Sequence, residues 1–443
     1  ERGGERGGDL TYAISPLATA TKADRFSAPA RFGNGLGVGS NGHGNGHGHG
    51  NSRTYKAAQE ALNARYRSSG LPLQMPPQTV TGVTADPRPK PSVPVPQKRV
   101  VGTVQRQTVA PPVDAEGHML PNVTHIDRFE ISRMLDKGTF GTVFMAWDCK
   151  WRQHVALKVV RKVTRYVEDA EFEVSILDKL ASLDRKGRHC VKLYKYFHYH
   201  GHFCIVTELL GDSLYHSLKK MRHMRRAVKL SSIWAVAQQL CTSLAFLRSV
   251  NLVHADLKTE NILLGNSDMS LEDDKLTIKL IDFGGATWQE DVHSKVIQTR
   301  HYRAPEVVLG LDWSYPCDMW SVGCILLELY ESRLTFDTHD TAQHLAMMRQ
   351  LVGDLSPSLV RRIPRDTSAE RLFDDRGRLR WPELAQSRVE EEAVLRVAPL
   401  QERIDANLEP FAELLRGMLQ VDPAKRITPE QALRSRFLFQ PPP

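Results

Sequence analysis

His254-Ala255-Asp256-Leu257-Lys258-Thr259-Glu260-Asn261 is the stretch on which the reading of this chain turns. It places a carboxylate, a cation two residues on and an amide five residues on in one short polar segment. Such a loop can orient a hydroxyl nucleophile, neutralise a transferring phosphoryl group and ligate Mg²⁺. Downstream, the apolar run Thr277–Ile281 leads into Asp282-Phe283-Gly284, whose carboxylate can hold a metal bridging two phosphates. Further on, Ala304-Pro305-Glu306 offers an acid able to pair with Arg426 in Pro423-Ala424-Lys425-Arg426.

Upstream, Val155-Ala156-Leu157-Lys158 reads as an apolar strand ending in one lysine. A strand lysine is ordinarily a solvated edge residue. Beneath a phosphate loop it can instead hold two phosphates, given an anion to fix it, and Glu173 on the next helical stretch is available. Taken by itself, Glu173 is one more acid in a charged helix. Before them stands Leu135-Asp136-Lys137-Gly138-Thr139-Phe140-Gly141-Thr142-Val143, a hairpin whose glycines let backbone N–H groups approach phosphates. Gly138 and Gly141 also suit an ordinary hairpin, and Asp136 stands where a G-x-G-x-x-G pattern has its first glycine.

Short β-branched runs (Thr142–Ala146, Val155–Val160, Phe203–Glu208) come first, interrupted by a helical stretch at Glu168–Leu183. After Ser213 the pattern turns helical, over Ser231–Val250, Asp318–Tyr330 and Glu409–Leu419. The order predicts an α+β fold with a small β-rich lobe, a larger helical lobe and a cleft between them.

The 443 residues carry a net charge of +8, and 17 of the 30 Gly and 13 of the 25 Pro fall in residues 1–127. That segment has too little clustered apolar surface to offset its ordering entropy, so it reads as a low-complexity, largely disordered tail. It includes a Gly/His tract with His43, His47 and His49, a short helical candidate at Thr54–Arg67, and the Pro-rich Pro72–Pro96. The first reads better as a spacer than as a metal site, and the last as a polyproline II linker. The six cysteines form no CxxC pair, which argues against a zinc module or disulfide framework. No apolar run approaches the ~18 residues of a membrane span, so a soluble, intracellular protein is expected.

With five motifs in order, the chain from Phe129 to Phe439 resembles the eukaryotic protein kinases. The resemblance implies the bilobal protein kinase fold, with an N-lobe and hinge over 128–212 and a C-lobe over 213–443. It also implies ATP and Mg²⁺ as cofactors. Leu135, Gly138, Thr139, Phe140, Gly141 and Val143 would form the lid over ATP. Lys158 and Glu173 would be the phosphate-positioning ion pair. Asp256 would be the catalytic base with Lys258 as its helper, and Asn261 and Asp282 the Mg²⁺ ligands. Ala156 and Leu263 would sandwich the adenine, Thr207 would back the pocket, and Glu208–Leu210 would form the hinge.

Gln298-Thr299-Arg300-His301-Tyr302-Arg303-Ala304-Pro305-Glu306 and His344-Leu345-Ala346-Met347-Met348-Arg349 are similar to the LAMMER, or cdc2-like (CLK), branch of the CMGC kinases. Arg165-Tyr166 and the Glu208–Gly211 hinge agree. That branch implies an insert over about 349–405, Ser/Thr phosphorylation of Arg/Ser-rich splicing factors, Tyr autophosphorylation, a monomeric kinase domain and residence in the nucleus. Direct nucleic-acid binding is not expected, since the tail's charges are dispersed. A DYRK-like Pro-directed kinase is the alternative, and a pseudokinase scaffold a more distant one.

The departures are specific. Asp136 replaces the first loop glycine, Arg349-Gln350 replaces a Glu-Arg continuation, and Thr207 stands where relatives often carry Phe. The usual ribose carboxylate would fall near His216, with Asp212 as a substitute. Ala255 replaces the Arg found in many kinases, leaving a phosphorylated loop without its charge partner. Acid for an Arg-rich substrate is expected at Asp212, Glu290-Asp291 or Glu272-Asp273-Asp274.

Overall fold

The computed structural model describes residues 113–440, apart from 115, 120–122, 185, 292 and 295. The Gly/His tract, Thr54–Arg67 and Pro72–Pro96 lie outside the described residues.

Six strands form one antiparallel sheet: β1 (His125–Ile126), β2 (Phe129–Lys137), β3 (Gly141–Asp148), β4 (Gln153–Val160), β5 (Leu193–Tyr199) and β6 (His202–Glu208), in the order β1-β2-β3-β4-β6-β5. Alternation decides which face is buried. Phe144, Ala146, Val155, Leu157 and Val159 point into a core with Phe129 and Ile126. The register aligns Val143 with Lys158 and Ala156 with Thr207, so these four share the opposite face. The fold begins upstream of the expected 127/128 boundary, because Ile126 and Met119 belong to this core and Val113 bridges to Met119.

Helix α1 (Thr164–Leu183) packs Val174 and Ala170 against Val160 and Ile205. It starts four residues before the expected Glu168, in the β-branched run Val163-Thr164, which by pattern continues a strand. Its N-cap Val163 makes no side-chain cap bond.

The second lobe is helical. Its main helices are α2 (Leu214–His223), α3 (Leu230–Ser249), α4 (Pro305–Val308), α5 (Pro316–Glu331), α6 (Thr341–Val352) and α7 (Arg388–Leu395). The helix α8 (Glu409–Met418) runs over almost the whole expected Glu409–Leu419 span. Two short ladders, β7 (Leu252–Val253) with β10 (Thr287–Trp288) and β8 (Ile262–Leu264) with β9 (Ile278–Leu280), carry the polar loops of interest. Contrary to the sequence expectation, α3 is long and apolar enough to cross a membrane by length and composition. Its Ile233, Val236, Leu240 and Leu244 sit in the lobe's core, the arrangement of a central core helix. Helix α6 buries His344, Leu345, Met347 and Met348, as its periodicity predicts.

Candidate active site

The lid is the β2–β3 hairpin. A Cβ on Gly141 would lie 2.3 Å from the Val159 carbonyl oxygen, so close approach of β4 demands glycine there. At Gly138 a Cβ would meet nothing within 4 Å. Thr139 and Phe140 form the turn's tip, and Phe140 is exposed yet meets the Tyr166 ring edge-on at 5.3 Å. Asp136 keeps its carboxylate local, accepting the Lys137 N–H at 2.8 Å.

At the hinge, Glu208 accepts the Lys192 N–H at 2.7 Å and pairs with Lys279 at 2.5 Å. Leu210 is buried, and Leu263 on β8 bridges to Ser213 just past it. The Thr207 hydroxyl donates to its neighbour's carbonyl, Glu208 O, at 3.3 Å. Asp212 pairs with Lys220, and His216 bonds Ser213 at 3.0 Å. Asp212, the substitute considered for the ribose carboxylate, is thus already engaged by Lys220.

Lys158 Nζ donates to Glu173 Oε2 at 2.7 Å, so α1 is seated with its one buried acid on the strand lysine. Burial would lower the Lys158 ammonium, but the Glu173 and Asp282 carboxylates outweigh it and hold it above its usual value. Phe283 is fully buried and tilted against His254 at 4.9 Å. The pair thus joins sheet and helix, with the Asp282 charge acting on both partners.

The Asp256 loop owes its shape to Asp318 at the start of α5. That buried carboxylate accepts the N–H groups of His254 at 2.8 Å and Ala255 at 3.0 Å. Ala255 has φ +63°, a left-handed conformation that disfavours residues with a Cβ. Two charge-assisted bonds offset that strain. Asp256 Oδ1 then accepts Thr299 N–H at 2.9 Å and Thr299 Oγ1 at 2.8 Å. Asp256 Oδ2 takes Lys258 Nζ at 2.8 Å. Asn261 Nδ2 donates to the Asp256 carbonyl at 2.9 Å, which fixes the amide's orientation and leaves its Oδ1 as the remaining acceptor.

Asp282, at φ +60°, acts electrostatically on Lys158, Glu173 and Lys258 together. The Lys258 ammonium is lowered by burial but raised further by Asp256 and Asp282, so it remains a fixed cation. Asn261 and Asp282 supply one amide oxygen and one carboxylate. That hard, incomplete donor set suits Mg²⁺, which keeps waters and substrate phosphates as its other ligands.

Three residues escaped assignment from sequence. Asp318 and Gln298 organise the site from behind: Gln298, at φ +63°, donates to Cys317 O at 2.9 Å and Ser321 Oγ at 2.8 Å and accepts Ala304 N–H at 2.9 Å. Thr299 touches Asp256 itself. Its signal was its place in the Gln298–Glu306 run, quoted only for resemblance. Of the acids expected to face an arginine-rich chain, Glu272 is tied to Arg226 at 2.5 Å and Asp273 to the Ser270 N–H at 2.6 Å. One contact ties the insert to the turn before α3, and the other is local to it.

A protein kinase domain profile matches residues 129–438. The Arabidopsis thaliana serine/threonine-protein kinase AFC3 is 38% identical over 74% of this chain and 88% of its own length. Human dual specificity protein kinase CLK1 is 40% identical over 73% of this chain and 69% of its own. A crystal structure of a kinase domain superposes with a TM-score of 0.67 at 34% identity, covering 74% of this chain and 99% of that domain.

Proposed function

This chain belongs to the protein kinase family, within the LAMMER or cdc2-like branch, and from that premise we propose that it phosphorylates Ser and Thr in Arg/Ser-rich splicing factors with ATP and Mg²⁺. The observation that carries the reading is the Asp256 carboxylate, fixed on both oxygens yet about a quarter exposed. Bound Mg-ATP supplies the transferable phosphoryl group and its countercharge. Lys158, held by Glu173, anchors phosphate oxygens, while Asn261 Oδ1 and Asp282 hold the cation. Asp256 orients the acceptor hydroxyl and takes its proton, and Lys258 offsets charge at the transferring group. Val143, Ala156, Thr207, Leu210 and Leu263 form the apolar bed for the base, deepened by the small Thr207. A peptide array comparing Arg-Ser repeats with Ser-Pro sites tests the substrate class: preference for Arg-Ser supports it, and preference for Ser-Pro favours a Pro-directed kinase. Residence in the nucleus and a monomeric kinase domain are part of the same proposal, tested by imaging the tagged chain and by light scattering.

Thr299 enters this reading as a positioning residue. Thr299→Val removes the Oγ1 bond but leaves the backbone bond to Asp256. The expected outcome is a kcat lower by about tenfold with KM for ATP nearly unchanged, since a hydrogen bond to a charged group contributes ~1.5–3 kcal/mol. Steady-state kinetics check it.

Activity should not require phosphorylation of the 282–306 segment. Ala255 offers no guanidinium, and contacts that need no phosphate hold the segment, among them Gln298 against α5 and His293 stacked on Trp313 at 4.2 Å. Phosphatase-treated protein is expected to keep its turnover. Loss of turnover together with loop phosphate would contradict this.

A further inference from the structure

Residues 113, 114 and 116–119 precede every motif used above, yet they are built against the lid. Val113 bridges to Met119, and Met119 is 3% exposed in the sheet core, which anchors the segment. Between them the chain makes a closed turn: Asp114 Oδ1 accepts the N–H groups of Glu116 at 3.0 Å and His118 at 2.8 Å, with Gly117 at φ +83°. The turn presents three groups to the lid and its base. Asp114 Oδ2 takes Lys137 Nζ at 3.1 Å, on the residue before Gly138. The Glu116 carbonyl takes Arg161 Nε at 2.7 Å, and the Gly117 carbonyl takes the Lys162 N–H at 3.1 Å.

Arg161 is the relay. Its NH1 donates to the Thr139 carbonyl at 2.9 Å and its N–H to the Phe140 carbonyl at 2.9 Å, so it grips the tip of the lid. Its guanidinium also lies over the Tyr166 ring at 5.3 Å, the ring that meets Phe140. Tyr166 lies on α1, the helix that carries Glu173 to Lys158. One side chain therefore joins the upstream turn, the lid tip and the helix of the ion pair.

We propose that residues 113–119 are a strap that sets the height of the nucleotide lid, with Asp114 and Arg161 as positioning residues for ATP. Without these contacts the lid would have little to hold it: Gly138 and Phe140 are exposed, and a Gly-containing turn has high conformational freedom. Fixing the turn's carbonyls at one end and Lys137 at the other reduces the ordering entropy that nucleotide binding must otherwise offset. Against the cost of its desolvation, the His118 N–H, Lys137 and the Glu116 N–H draw the Asp114 carboxyl down to about 2, so the tether holds at all physiological pH values.

The test uses the full chain and does not depend on catalysis. Binding of a fluorescent ATP analogue with Mg²⁺ is measured by titration, and amide hydrogen exchange is followed over residues 137–141. Asp114→Asn, which keeps an oxygen for the two backbone bonds but loses the charge toward Lys137, and Arg161→Ala are each expected to weaken nucleotide binding about threefold to tenfold. Both should speed exchange in the lid while leaving the melting temperature near that of the parent. Asp114→Glu should restore binding in part. Unchanged nucleotide affinity and lid exchange in both variants would overturn the proposal. So would a uniform loss of affinity and stability with exchange raised throughout the sheet, because that pattern marks a merely structural segment. If the parent chain binds nucleotide but transfers no phosphate, the phosphoryl-transfer reading fails while the strap is still measured.

Discussion

Asp256→Asn is expected to lower kcat by about 10²–10⁴-fold, the range that a positioned general base contributes, with little change in ATP affinity. Two features of the site set that size. The Asn side chain can still accept the Thr299 N–H and Oγ1 bonds through its oxygen, so the loop is expected to keep its shape. Its amide nitrogen, however, replaces Oδ2 at 2.8 Å from the Lys258 ammonium, where two donors meet and no acceptor is left. The substitution thus removes both the proton acceptor and the anion that holds Lys258. Single-turnover transfer measured with saturating Mg-ATP checks it, and near-normal turnover would refute the assignment of Asp256.

The largest effect on stability is expected at the ion pair between Glu306 and Arg426. Both side chains are completely buried, joined by two bonds of 2.7 and 2.8 Å. Arg426 donates further to the carbonyls of Pro316 at 2.8 Å and Gln420 at 2.8 Å, so it stitches α4, α5 and the segment after α8 together. Removing one partner leaves an uncompensated charge in the interior, which costs about 3–5 kcal/mol. Arg426→Met is therefore expected to lower the melting temperature on the order of 10 °C in a domain of this size. The paired change Glu306→Leu with Arg426→Met should recover much of that loss, because no charge is then stranded. Thermal denaturation of the two variants separates these outcomes; equal destabilisation by the single and paired changes would contradict this reading.

Pairs joined by chemistry alone were legible in the sequence. Lys158 needs an anion and Glu173 is the buried acid of its helix; Glu306 needs a cation and Arg426 follows a Pro-containing turn. Strand and helix placements also followed, since periods of two and 3.6 mark the buried face wherever the runs are long. What escaped depends on residues that meet only in three dimensions. Nothing local to Ala255 announces a positive φ; it is imposed by Asp318, sixty-three positions away. The start of α1 was missed because β-branched residues at Val163 and Thr164 imitate a strand, while packing on the sheet decides otherwise. Net charge was similarly uninformative about the acidic insert, where Arg226 neutralises Glu272 across a gap of forty-six residues. The strap at 113–119 lay inside a stretch whose composition reads as tail, and only the burial of Met119 beside Ile126 shows that the sheet's core reaches into it.

The central claim is that the residues gathered around Asp256 form a working phosphoryl-transfer site and not a retained scaffold. It is tested most directly by incubating the full chain with γ-labelled ATP and an Arg-Ser repeat protein, with and without Mg²⁺, while nucleotide binding is followed in parallel. The account predicts label on Ser and Thr in the presence of Mg²⁺ and its loss in Asp282→Asn. Nucleotide bound with no label transferred under any of these conditions would contradict it.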